Sequence, residues 1–108
     1  MDKRDEALMN DIREGLYKHG SLSLLFYQMG DEWIVHKWGE FEKLETIQKD
    51  LFEKYQSAGL TDEAESLTLM DLPKDESLIF KILTCGHLPT VLKELGLVQA
   101  ETRSYDRA

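Results

Sequence analysis

Residues 21–38, SLSLLFYQMGDEWIVHKW, constrain the fold more than any other part of this chain. They are rich in aromatic and aliphatic side chains and are interrupted by Gly30 and Asp31, the type of pair that turns a hairpin. The pattern predicts strands at 21–28 and 32–38. In the first, Leu22, Leu24 and Phe26 alternate with Ser23, Leu25 and Tyr27, so one face is apolar and the other mixed, and both call for some cover. A two-stranded hairpin alone is marginal in water, so a third strand is expected at about 66–71. Seven of the ten aromatic residues lie in the hairpin and the segment after it: Phe26, Tyr27, Trp33, Trp38, Phe41, Phe52 and Tyr55.

The remaining segments read mostly as helices. Leu8, Ile12 and Leu16, with Met9 and Tyr17, line one face between Asp2 and His19, and Gly20 is a stop. Phe41, Leu44, Ile47, Leu51 and Tyr55 recur at three- and four-residue spacing among Glu and Lys, with Gly59 as a C-terminal cap and acid-first pairs at Glu45/Lys49 and Asp50/Lys54. The stretch 61–72 supports two readings, a helix opened by Thr61 or a strand in which Leu67 and Leu69 alternate with polar residues. Leu78, Ile79, Ile82 and Leu83 then form a helix that stops near Cys85 and Gly86, and Pro89, Val91, Leu92 and Leu95 form a shorter one ended by Gly96. The expected class is α+β: a small single domain with an antiparallel hairpin or three-stranded sheet packed by three to four helices, spanning 1–108 with mobile ends at 1–3 and 99–108.

A chain of 108 residues, 42% hydrophobic and 31% charged, has the composition of one folded domain and needs neither disulfide nor metal to hold its core. Its single cysteine, Cys85, cannot form an intramolecular disulfide, and the opening MDKRDEALMNDIREG has charges where a signal peptide needs an apolar run. These features point to a reducing cytoplasm. No apolar run approaches the ~20 residues that cross a bilayer, so no membrane is expected. The net charge of −8 is unevenly spread: residues 39–76 carry −7, residues 1–38 carry −2 and residues 77–108 carry +1. An acidic middle repels a phosphate backbone and attracts a basic surface, although such runs are commonly solvated helix faces.

Residues that do catalysis are sparse. There is no phosphate-cradling glycine loop, and none of the HExxH or GxSxG arrangements. Cys85 and His87 flank Gly86 and invite comparison with a thiol and its base or half a metal site, but a closed zinc site needs four ligands and only His19 and His36 remain. A small buried Cys near a cap with a surface His is the plainer reading. His36, on the same side as Ile34 and Trp38 of a regular strand, reads as a packing residue, with no partner in view to make it a base. Neither a metal nor another cofactor is expected, since the acids lack the convergence a hard cation needs.

Trp33 and Trp38 lie five positions apart, an odd offset, so a regular strand places them on opposite faces. If helices cover one face only, one Trp is exposed, and Trp is the residue most enriched at interface hot spots. If helices cover both faces, or the strand bulges, both are core. The expected function is that of a non-catalytic acidic binding module, in the manner of an inhibitor, immunity or antitoxin-like protein, adaptor or chaperone. Glu40, Glu42, Glu45, Glu53, Asp62, Glu63 and Glu65 would steer a basic protein partner and Trp33 or Trp38 would anchor it. A homo-oligomer is compatible with the sequence.

Two other classes compete. The segment SLIFKILTCGHLPTVLKELGLV resembles in cadence the helix-turn-helix of winged-helix regulators. That resemblance implies DNA contacts by Thr90, Lys93 and His87 and backbone contacts by Arg103 and Arg107. Only four basic residues lie between 77 and 108, and the acidic balance argues against nucleic acid. A small enzyme or enzyme subunit would require Cys85, His87 or His36 in a pocket with a shifted pKa.

Overall fold

The structure is a computed structural model that describes residues 2–97 and, as backbone, residues 102–104. Helix α1 (Lys3–His19) is followed by strands β1 (Ser23–Met29) and β2 (Glu32–Gly39), helices α2 (Phe41–Ser57) and α3 (Thr61–Ser66), strand β3 (Thr68–Asp71), helices α4 (Glu76–Thr84) and α5 (Leu88–Glu94), and strand β4 (Thr102–Ser104). The class is α+β, as the sequence predicts, with an antiparallel sheet in the order β2-β1-β3-β4. Five helices are present among the described residues rather than three or four. The stretch 61–72 satisfies both of its readings in series: the acids at its start suit a helix N-terminus, and the alternation begins only at Thr68. Lys3, placed by sequence in a mobile end, opens α1, where the Asp2 carboxylate accepts from the Arg4 amide at 2.7 Å. Thr102–Ser104, also expected to be mobile, pair with β3; residues 98–101 and 105–108 lie outside the described residues.

The hairpin forms as the sequence implies. Met29 pairs with Glu32 across the two-residue turn, where Gly30 has φ +64° and Asp31 does not have a positive φ. A positive φ at the first turn residue alone matches the primed turn that Gly favours and that follows the twist of the strands.

Alternation along β1 divides the interior into two cores on opposite faces of the sheet. Leu22, Leu24 and Phe26 point, with Met70 and Leu72, toward Ile12 of α1, Ile79 and Ile82 of α4, and Leu88 and Leu92 of α5. Leu25, with Leu69, points toward Leu44 and Phe52 of α2 and Ala64 of α3. Central strand β1 is therefore buried on both sides, which is why its run 22–26 is continuously apolar apart from Ser23. Ser23 is 1% exposed, and its hydroxyl donates to Asp71 at 3.1 Å across the β1–β3 pair.

Strand β2 departs from regularity in a way that decides where both tryptophans go. Leu25 pairs with Lys37 but Phe26 pairs with Val35, so His36 is an extra residue. The bulge reverses the facing of everything beyond it. Trp33 pairs with Gln28, Val35 with Phe26 and Trp38 with Leu24, so all three lie on the α1/α4/α5 side, while Glu32, Ile34 and Lys37 share the α2/α3 side. The expectations that Trp33 and Trp38 occupy opposite faces, and that His36 sides with Ile34 and Trp38, are thereby corrected. In a regular strand Lys37 would point into the first core and Trp38 away from it; the bulge leaves His36 and Lys37 exposed and returns Trp38 to the core.

Candidate functional site

Both tryptophans are half-buried against the first core rather than standing free. The Trp33 ring stacks on Phe26, with centroids 5.3 Å apart and planes 17° from parallel. Both rings pack on the α1/α4/α5 side of the sheet, against the first core.

The acids expected to steer a partner divide into two groups. Glu42, Glu45 and Glu53 on α2 and Asp62 on α3 are exposed. Helical spacing puts Glu42, Glu45 and Glu53 on one exposed stripe along the flank of α2, beside the face of Leu44, Gln48 and Phe52 that packs on the sheet, with Glu45 nearest to it. Lys49 falls on the same outward stripe and partly offsets them. Glu40, Glu63 and Glu65 are half-buried. Glu40 is the N-cap residue of α2 without a side-chain cap hydrogen bond, and one of its carboxylate oxygens lies 3.7 Å from His19 Nδ1 at the end of α1. Most of the acidic set thus belongs to the α2/α3 layer and the tryptophans to the opposite side of the sheet. Only Glu40, next to the end of β2, is brought near Trp38.

The acidic layer is tied to the sheet by buried contacts. Gln48, 5% exposed in α2, donates from Nε2 to the Leu67 carbonyl at 3.2 Å, tying the helix to the junction of α3 and β3. Tyr55 meets Tyr27 edge to face at 6.2 Å. Burial, with smaller effects of Tyr27 and Glu63, pushes the Tyr55 phenol up from its ordinary value.

Sequence reasoning did not single out the corner where α1 ends and α2 begins. An open hollow of about 420 Å³ is lined there by Lys18, His19, Ser21, Glu40, Phe41 and Glu42. A second, of about 290 Å³, includes His19, Lys37, Trp38, Glu40, Lys43 and Ile47. Both share His19 and Glu40, and their linings mix charges of both signs. Among the described residues no group of three or more His, Cys, Asp or Glu is placed to hold a metal ion. The sequence carries no spacing signal for this corner, because its residues come from three elements that only the fold brings together.

The Cys85/His87 pair is close in sequence but is not coupled through its side chains. Cys85 Sγ donates to the Ile82 carbonyl at 3.0 Å, whereas His87 Nδ1 lies 2.7 Å from the Thr90 hydroxyl. Burial pushes the Cys85 thiol up, and its contact with the His87 main chain works the other way and is smaller. A raised thiol pKa is the reverse of what a thiolate nucleophile requires. His87 is the N-cap residue of α5, where Pro89 sits in the first turn. Thr90 and Lys93 are exposed, but α5 has only seven residues and packs Leu88 and Leu92 into the core. Arg103 lies in β4, away from α5 in the chain, and Arg107 falls outside the described residues.

Comparison with protein-family models, with curated proteins and with solved structures finds no match to this chain. No helix among the described residues is long and apolar enough to cross a membrane.

Proposed function

We propose that this chain is a non-catalytic binding module whose acidic α2/α3 surface docks on a basic region of another protein, as inhibitors, immunity or antitoxin-like proteins, adaptors and chaperones do. The observation that carries this reading is the exposed set Glu42, Glu45, Glu53 and Asp62, on helices whose buried side chains are committed to the second core. The excess of acids over the exposed lysines of α2 raises the rate of encounter with a basic surface and selects its orientation. Glu40, Glu63 and Glu65, half-buried at the margins, add to that field without facing the partner directly. Trp33 and Trp38 act, on this reading, from the edge of the sheet and not from the centre of the acidic surface. A cytoplasmic location accords with the lone cysteine.

The experiment is affinity capture from host lysate after nuclease treatment, run in parallel with wild type and with the neutralised variant E42Q/E45Q/E53Q/D62N, and washed at rising salt. A stoichiometric protein that is retained by wild type, is lost with salt and is not retained by the variant supports the reading. Capture of nucleic acid without nuclease, or capture indifferent to the four substitutions, overturns it.

A further inference from the structure

We propose that β2 pairs edge to edge and antiparallel with β2 of a second copy of this chain, around a two-fold axis at Ile34. Among the described residues β2 is the outermost strand on its side of the sheet. It is eight residues long and carries half-buried apolar side chains on both faces: Trp33, Val35 and Trp38 on one, Ile34 on the other. An outer strand of this length and character is a template for strand addition unless something blocks it.

The occupant follows from the order of side chains along the strand. A two-fold axis at Ile34 sets Ile34 against its own copy and Trp33 against Val35 of the second molecule, and each of these pairs lies on one common face. One step further, the extra residue His36 advances the strand just as it does against β1, so Glu32 meets Lys37 of the second molecule. The bulge is what makes this last pair feasible. Glu32 and Lys37 are five positions apart, which in a regular strand puts them on opposite faces, but here both share the α2/α3 side.

Both residues are exposed, and neither forms an ion pair within the described residues. The symmetric interface thus contains one Ile–Ile pair, two aromatic/β-branched pairs and two opposite-charge pairs, the cross-strand combinations that stabilise sheets. Moving the axis by one residue, to Trp33 or Val35, keeps the faces matched but separates Glu32 from Lys37, so the opposite-charge pair selects the register. Such an interface is self-complementary, as a closed two-fold dimer requires. It joins two sheets into one and does not depend on the acidic α2/α3 surface proposed above.

Sedimentation equilibrium of the full chain at low ionic strength tests the pairing, with cooperative thermal unfolding confirming that each variant is folded. The expected result is a reversible dimer whose dissociation constant rises roughly ten-fold in K37E and in E32K, where like charges oppose, and returns to within about three-fold of wild type in E32K/K37E. A wild-type chain that stays monomeric at every concentration overturns the proposal. So does a dimer indifferent to the single charge reversals, or one that the double reversal fails to restore. Geometry is checked independently in a C85S background: I34C should form a disulfide-linked dimer on mild oxidation because opposed Cα atoms lie within disulfide reach, whereas E32C should not. Cross-linking of E32C but not I34C overturns the register and with it the proposal.

Discussion

Trp33→Ala is expected to destabilise the fold by about 2–4 kcal/mol, and the size of that loss distinguishes a packing role from that of a free surface anchor. A fully buried Trp or Phe cut back to Ala costs about 3–5 kcal/mol, so the half-buried Trp33 stands to lose roughly half of that. Loss of the stacked contact with Phe26 at 5.3 Å adds about 0.5–1.5 kcal/mol. Trp33→Phe keeps an aromatic ring over Phe26 and should cost about 1 kcal/mol or less. The assay is urea unfolding followed by fluorescence of the remaining Trp38, at a protein concentration low enough to keep association out of the transition. The alanine variant should lower the midpoint by roughly 1–2 M with the slope unchanged. A stability within about 0.5 kcal/mol of wild type, as for an ordinary surface substitution, would refute the packing argument.

Three further outcomes follow from particular contacts. Gln48→Ala leaves the buried Leu67 carbonyl without its donor and should cost about 1–3 kcal/mol by urea unfolding; a change under about 0.5 kcal/mol would mean that the tie between α2 and the α3–β3 junction contributes nothing. Asp75 accepts from the Ser77 and Leu78 amides at 2.9 and 3.2 Å, so Asp75→Ala should lower stability by about 1 kcal/mol and Asp75→Ser should recover most of it. Because burial raises the folded-state pKa of Cys85, its contribution to stability is fully present below the ordinary thiol value and declines as pH rises through and beyond that value. Alkylation of the folded protein should accordingly be slower than that of free cysteine near neutral pH, with its midpoint displaced upward, and a faster reaction would contradict the environment described here.

Much of the architecture was legible from local pattern. The Gly30–Asp31 turn, the 3.6-residue periodicity of α1 and α2, and the restart at Asp75 are statements about which backbone conformations and which faces a short segment prefers, and such preferences survive folding here. The sequence leaves two outcomes open for β2, and the structure takes the second: helices cover both faces and the strand bulges at His36, where two successive polar residues, His36 and Lys37, interrupt an apolar run. The acidic set was visible as composition, but composition does not distinguish Glu42, turned outward, from Glu40, drawn toward His19. That distinction depends on the angle at which α2 enters from β2.

The amino-acid sequence by itself determined the order of helices and strands, the α+β class, the hairpin turn and the concentration of acid in residues 39–76, because each depends on near neighbours in the chain. Only the tertiary structure decided that helices cover both faces of the sheet, that Trp33 and Trp38 share one of them, and that β2 ends the sheet with Glu32 and Lys37 on a common side. Those outcomes depend on pairing between segments distant in sequence, where one unpaired residue reverses every side chain beyond it.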